Sequence, residues 1–203
     1  SEKLPLLIEA TKLMGFAGLN ITYPCKQAVI PLLDSVDDEA KVMGAVNTVV
    51  IRQGRATGHN TDGSGWAWGL KRSLPSADLS RVVLLGGGGA GAAIAHAVLR
   101  LGAKHLTVVD RDTTKLAALA LTLNDVYGKG RVAITDNAAE ALPRATGLIH
   151  ATPTGMDKVP GMPVEASLLH AGLWLSEIVY SPIETALLKA ARAIGCATVD
   201  GGG

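Results

Sequence analysis

The run Arg81-Val82-Val83-Leu84-Leu85-Gly86-Gly87-Gly88-Gly89-Ala90-Gly91-Ala92-Ala93-Ile94 decides the fold of this chain. Residues 82–85 are unbroken apolar sequence, as a parallel strand covered on both faces requires. Gly86, Gly88 and Gly91 satisfy the spacing G-x-G-x-x-G, and an alanine-rich amphipathic helix over 90–101 follows them. A second strand over 105–109 ends in Asp110, 24 residues beyond Gly86. In a glycine-rich chain the spacing alone means little. A strand before it, a helix after it and an acid ending the next strand together read as a dinucleotide-binding βαβ unit. Glycines let the backbone turn tightly and approach a pyrophosphate. The helix start at Gly89 and Ala90 presents free N–H groups and a partial positive charge to it. Asp110 is placed to accept hydrogen bonds from ribose hydroxyls, and its charge, with that of Asp112, repels a 2′-phosphate. Arg111 can stack on adenine or meet such a phosphate; with acids on both sides of it, NAD is favoured over NADP.

Outward from this unit, the βα rhythm continues to the end of the chain. A helix is expected over 113–126, strands over 132–135, 147–151, 173–180 and 197–199, and a helix over 184–194. Toward the start the rhythm is shorter. Leu6, Leu7, Ala10 and Leu13 recur at helical spacing and Gly15 is placed to stop that helix. Strands are expected over 18–22, 45–51 and 56–60, with a turn at Gln53-Gly54-Arg55 and helices from Pro24 and over 62–72. The polar, proline-containing segment Leu74-Pro75-Ser76-Ala77-Asp78 separates the two rhythms. The fold class is therefore α/β in two domains, an N-terminal α/β domain over 1–74, to which the resemblance described below gives the substrate, and a Rossmann-type domain over 75–203.

Composition excludes other classes. The 203 residues carry 19 Lys+Arg against 18 Asp+Glu without a basic run, which argues against nucleic acid as a partner. No apolar run approaches the roughly 18 residues of a membrane span, and no leader sequence is seen. Two cysteines are too few for a disulfide framework or a cysteine zinc site, and the five histidines show no metal-ligand spacing. A soluble, cytoplasmic, glycine-rich α/β protein without a metal is expected.

Three polar residues in the first third stand out. Lys26 sits where a strand end meets a helix start, a position where lysines are ordinarily solvated. Asp62 in Asn60-Thr61-Asp62-Gly63 is ordinarily a helix cap. Asn47, read as lying within a β-branched strand, must satisfy a buried amide and so marks a site or a network. His59 lies three residues before Asp62.

These residues occur in Asn20-Ile21-Thr22-Tyr23-Pro24-Cys25-Lys26, Gly44-Ala45-Val46-Asn47-Thr48 and Gly58-His59-Asn60-Thr61-Asp62-Gly63. The three segments resemble, in order and spacing, the signatures of the shikimate dehydrogenase family. Ala151-Thr152-Pro153-Thr154-Gly155-Met156 resembles its later loop over the cofactor, and Val179-Tyr180-Ser181-Pro182-Ile183-Glu184-Thr185 the start of its C-terminal helix. With Asp110, the latter segment is most similar to the NAD-preferring quinate/shikimate dehydrogenases. The resemblance implies NAD(P)-dependent oxidation of the 3-hydroxyl of shikimate or quinate, with Lys26 and Asp62 as the proton-relay pair. It implies Thr22, Asn47, Thr61 and Tyr180 on the substrate, and Thr152, Thr154, Met156, Ile178 and Gly203 on the cofactor beside the glycine loop. The chemistry agrees, because oxidising a secondary alcohol needs a proton acceptor as hydride leaves, and a lysine oriented by a carboxylate relays that proton.

The chain departs from the family's usual pattern at His150, where Asn is usual, and at Glu177, where Asp is usual. By the same resemblance, the family's serine-rich carboxylate-binding segment would precede Ser1 and its Met and Gln motif would follow Gly203, so the chain reads as a core fragment. The substrate is expected to be a hydroxylated cyclohexene or cyclohexane carboxylate, bound by a monomer or homodimer. An aminoshikimate dehydrogenase and a non-catalytic sensor of the same fold are the competing readings; an intact Lys26 and Asp62 weigh against the sensor.

Overall fold

A computed structural model of the chain describes residues 2–22 and 24–202, with the side chain of Lys115 outside the description. Packing divides it into two compact units, 1–64 and 65–203. The division falls ten residues before the polar segment at 74–78, because Leu70 belongs to the core of the second unit.

The first unit begins with helix α1 (Leu4–Leu13), which Gly15 ends at φ 73°. Strand β1 (Gly18–Asn20) and the short helix α2 (Cys25–Ala28) follow. Strand β2 (Ser35–Val36) and helix α3 (Asp38–Met43) come next, and neither is expected from the apolar pattern. Capping makes α3: the Asp37 carboxylate accepts from Ala40 N–H at 2.7 Å, and Gly44 closes the helix in the left-handed region. Strands β3 (Thr48–Arg52) and β4 (Arg55–His59) form a hairpin whose two turn residues, Gln53 and Gly54, both have positive φ. The sheet order is β1-β3-β4-β2, with β2 parallel to β4 and the other pairs antiparallel. Ile8, Val29, Ala40, Val46, Val49 and Ala56 are buried together beneath it. At its rim the Asp34 carboxylate accepts from Ala56 N–H at 2.7 Å and meets Lys12 Nζ at 3.2 Å. The amide first and the ammonium second hold the Asp34 carboxyl below the usual range, and Asp34 raises Lys12 in turn.

Helix α4 (Asp62–Ser73) spans the division. The second unit then alternates: β5 (Arg81–Leu85), α5 (Gly89–Arg100), β6 (His105–Val109), α6 (Thr113–Tyr127), β7 (Val132–Thr135), α7 (Ala138–Ala141), β8 (Gly147–His150), β9 (Trp174–Glu177), α8 (Ala186–Ala193) and β10 (Ala197–Val199). All six strands are parallel, in the order β10-β9-β8-β5-β6-β7. The continuous apolar run of β5 serves both faces as anticipated. Val82 and Leu84 join the core with Ile94, Val98 and Leu116 from α5 and α6, while Val83 and Leu85 join Leu187 and Leu188 from α8 on the other side. Strand order reverses between β5 and β8, so the crevice beyond their C-terminal ends is the place where such sheets bind ligands.

Strand β9 is shorter than the pattern over 173–180 suggests. Ile178 N–H still reaches His150 O at 3.0 Å but is shared with the Glu177 carboxylate, which also takes Val179 N–H, and the ladder ends there. Trp66 donates from Nε1 to Ser176 Oγ at 3.0 Å, whereas Trp68 is exposed beneath the Arg72 guanidinium, so the two rings form no common platform. Among the described residues no helix is long and apolar enough to cross a membrane, and no cluster of three or more His, Cys, Asp or Glu side chains could hold a metal ion.

Candidate active site

In the first unit the polar residues of the three sequence segments converge on one carboxylate. Lys26 lies in α2, directly after the loop from β1, and Asp62 is the first residue of α4. Lys26 Nζ donates to Asp62 Oδ2 at 2.6 Å, and Asn47 Nδ2 donates to Asp62 Oδ1 at 2.7 Å. The pair is partly shielded, with side-chain exposures of 24% for Lys26 and 29% for Asp62, which leaves the ammonium approachable. Each carboxylate oxygen therefore has its own donor, and the carboxylate cannot rotate without breaking a bond.

Asn47 itself is pinned. Its Oδ1 accepts from Thr61 N–H at 2.9 Å and from Thr48 Oγ1 at 2.9 Å, which leaves its Nδ2 facing Asp62 and Thr61 Oγ1. It stands one residue before β3 rather than inside the strand. There its N–H reaches His59 O and its carbonyl accepts from Ile21 N–H, joining the ends of β1 and β4. Asn60, which sequence reasoning passed over, is buried and supports the same turn: Nδ2 donates to Ala45 O at 3.0 Å, and Oδ1 accepts from Asp62 N–H at 3.0 Å. The signal was present in the tripeptide Asn60-Thr61-Asp62, where an Asx side chain two residues before a helix start caps its amide. Thr22 is exposed in the loop after β1, and its carbonyl accepts from Cys25 N–H. His59 turns away from Asp62, its Nδ1 lying 2.5 Å from Asp37 Oδ2, and so it supports the cap of α3.

In the second unit the glycine loop joins β5 to α5. Gly86 has φ 100°, and a Cβ on Gly91 would lie 1.9 Å from Gly86 O, so these two positions exclude a side chain on backbone grounds. Over Gly88 and Gly89 the space is open, and the start of the twelve-residue helix α5 lies there. A tight turn, unobstructed amides and a helix N-terminus fit a pyrophosphate. Asp110 leaves the end of β6 beside this loop, with Oδ2 accepting from Gly87 N–H at 2.8 Å. Arg111 next to it is exposed. Thr152, Thr154 and Met156 follow β8, half-buried, at the same end of the sheet, and Ile178 follows β9. Tyr180 is exposed two residues further on, and Gly203 lies outside the described residues. Cys25 is half-buried and unbridged, whereas Cys196 is buried, and burial pushes its thiol up.

The sequence model described as shikimate dehydrogenase substrate binding domain matches residues 1–49. Shikimate dehydrogenase (NADP(+)) of Streptomyces avermitilis is 57% identical over 199 residues, covering 97% of this chain and 68% of that relative. The quinate dehydrogenase of Corynebacterium glutamicum, solved in complex with NAD, superposes with a TM-score of 0.92 at 47% identity, covering 98% of this chain and 71% of that one. The shikimate 5-dehydrogenase of Listeria monocytogenes, solved with shikimate and NAD, gives a TM-score of 0.87 at 27% identity over 99% of this chain and 73% of that one.

Proposed function

This chain belongs to the shikimate dehydrogenase family, and we propose that it reversibly oxidises the 3-hydroxyl of shikimate, and of quinate, with NAD preferred to NADP. The observation that carries this reading is the Lys26–Asp62 pair, with the Asn47 amide on the second carboxylate oxygen. As the neutral amine, Lys26 Nζ uses one N–H on Asp62 and keeps a lone pair and a second N–H for a substrate hydroxyl. In the oxidation Nζ takes the hydroxyl proton, and in the reduction it returns one to the carbonyl oxygen. Asp62 orients the amine and balances its charge when protonated. Asn47, itself fixed by Thr61 N–H, holds Asp62 still, and the Thr61 hydroxyl, with the exposed Thr22 hydroxyl, suits ring hydroxyls. The dinucleotide, when bound, supplies the hydride chemistry. The Gly86–Gly91 loop and the N-terminus of α5 would hold its pyrophosphate, and Asp110 its adenosine ribose. Preference for NAD rests on Asp110 and Asp112, the acids on both sides of Arg111.

A two-by-two assay, shikimate and quinate against NAD and NADP, tests the reading. Turnover is expected with shikimate and NAD, with a lower kcat/KM for NADP. Absence of turnover with all four pairs would refute the enzyme and favour a sensor; a higher kcat/KM with NADP would overturn the cofactor preference alone.

A further inference from the structure

At the C-terminal ends of β8 and β9, a histidine and a glutamate are completely buried against each other. His150 and Glu177 have no exposed side-chain surface, and His150 Nδ1 lies 2.8 Å from Glu177 Oε1. A buried acid is costly unless its oxygens are fully engaged, and these are. Glu177 Oε1 also accepts from the N–H groups of Ile178 at 2.9 Å and Val179 at 3.0 Å. Oε2 accepts from Thr185 Oγ1 at 2.9 Å, while Thr185 Oγ1 takes Leu188 N–H and so caps α8. Backbone amides can only donate, so this oxygen is a pure acceptor and His150 Nδ1 carries the proton that faces it.

The far side of the ring then follows. His150 Nε2 is 2.6 Å from Thr152 Oγ1, and Thr152 Oγ1 accepts from Thr154 N–H at 3.3 Å. With Nδ1 committed to Glu177, Nε2 engages the Thr152 hydroxyl, which Thr154 N–H also holds, so this hydroxyl is fixed between two protein partners.

We propose that His150 and Glu177 are positioning residues for the dinucleotide: acting through Thr152, they fix the orientation of its hydroxyl and the course of residues 152–154. The inference rests on the reading above, in which this segment lies on the cofactor. Neither side chain is exposed, so the effect of His150, and of Glu177 by way of His150, travels through Thr152 and vanishes without it.

The test is a cycle of His150→Phe, Thr152→Val and the double variant in the full chain, read by NADH and NADPH titration of tryptophan fluorescence, thermal melting and steady-state kinetics. Phenylalanine preserves the buried ring and removes both nitrogens, and valine preserves the shape of threonine. Each single variant is expected to raise the NADH Kd roughly threefold to tenfold, the scale of one hydrogen bond, with the shikimate KM at saturating dinucleotide unchanged. The double variant is expected to match T152V alone. A further loss of affinity in the double variant, or parental affinity in H150F, would overturn the proposal. Should H150F fail to fold, T152V decides: parental NADH affinity in that variant also overturns it. Failure of the unaltered chain to bind either dinucleotide would instead refute the functional reading itself.

Discussion

Replacing Asp62 by asparagine removes one charge with almost no change in shape. In the native site Oδ2 receives Lys26 Nζ at 2.6 Å and Oδ1 receives Asn47 Nδ2 at 2.7 Å, so both positions face donors. An asparagine has one acceptor and one donor there. Whichever way it turns, an N–H group meets either an ammonium or an amide nitrogen. Asn47 cannot flip in response, because its Oδ1 is already committed to Thr61 N–H and Thr48 Oγ1. The loss is thus one charge-assisted hydrogen bond plus a donor–donor clash, about 1.5–3 kcal/mol of local stabilisation. At 1.4 kcal/mol per decade this displaces Lys26 from its working position by roughly tenfold to a hundredfold in population. Loss of charge compensation for the protonated amine adds to it. The expected fall in kcat is therefore about 10² to 10⁴, the range of a general acid–base group. The assay is steady-state oxidation of shikimate by NAD, with NADH titration and a thermal melt as controls. NADH affinity should stay within about twofold of the parent, since the hydrogen bonds that the substitution breaks all lie in the first unit. A folded variant with kcat within about threefold of the parent would refute the relay, and Lys26→Ala should lose at least as much as Asp62→Asn.

Asp110→Asn keeps an oxygen for Gly87 N–H while removing the charge; the NAD to NADP ratio of kcat/KM should fall by about tenfold, and an unchanged ratio would show that Asp110 does not face the ribose. Gly91→Ala would place a Cβ 1.9 Å from the backbone oxygen of Gly86, so dinucleotide binding should be lost and the melting temperature lowered, by a strain of about 1–3 kcal/mol; normal NADH titration would contradict this loop geometry. For Asp34, a folded-state pKa below the ordinary one means that its stabilisation is present above pH ~4 and is lost as pH falls through the lowered value. The melting temperature of Asp34→Asn should accordingly lie below the parent at pH 7 and converge with it in acid; a gap that persists at pH 2 would disprove the linkage.

Much of the architecture is legible in the sequence because it is local. The run 82–85, the glycine loop and Asp110 announce a βαβ unit through apolar continuity and turn chemistry, and the six-stranded parallel sheet bears this out. The elements that the apolar pattern does not announce are built from caps and short pairings. Helix α3 carries little apolar periodicity and exists through Asp37 and Gly44, while β2 spans two residues and depends on β4 for every bond. The tryptophans at 66 and 68 face apart, as their spacing dictates, because two residues on a helix are about 200° from one another.

Taken alone, the sequence determined the class of fold and the glycine loop between β5 and α5, since these are written in neighbouring positions. Only the tertiary structure decided which atoms meet. Asn47 reaches Asp62 because Thr48 pairs with His59 in the hairpin register, which carries the ends of β3 and β4 to one place. His150 reaches Glu177 because β8 and β9 lie side by side in parallel, aligning two residues that are 27 apart in the chain. Hydrogen bonds of this kind depend on register and burial over long separations, and no local propensity encodes them.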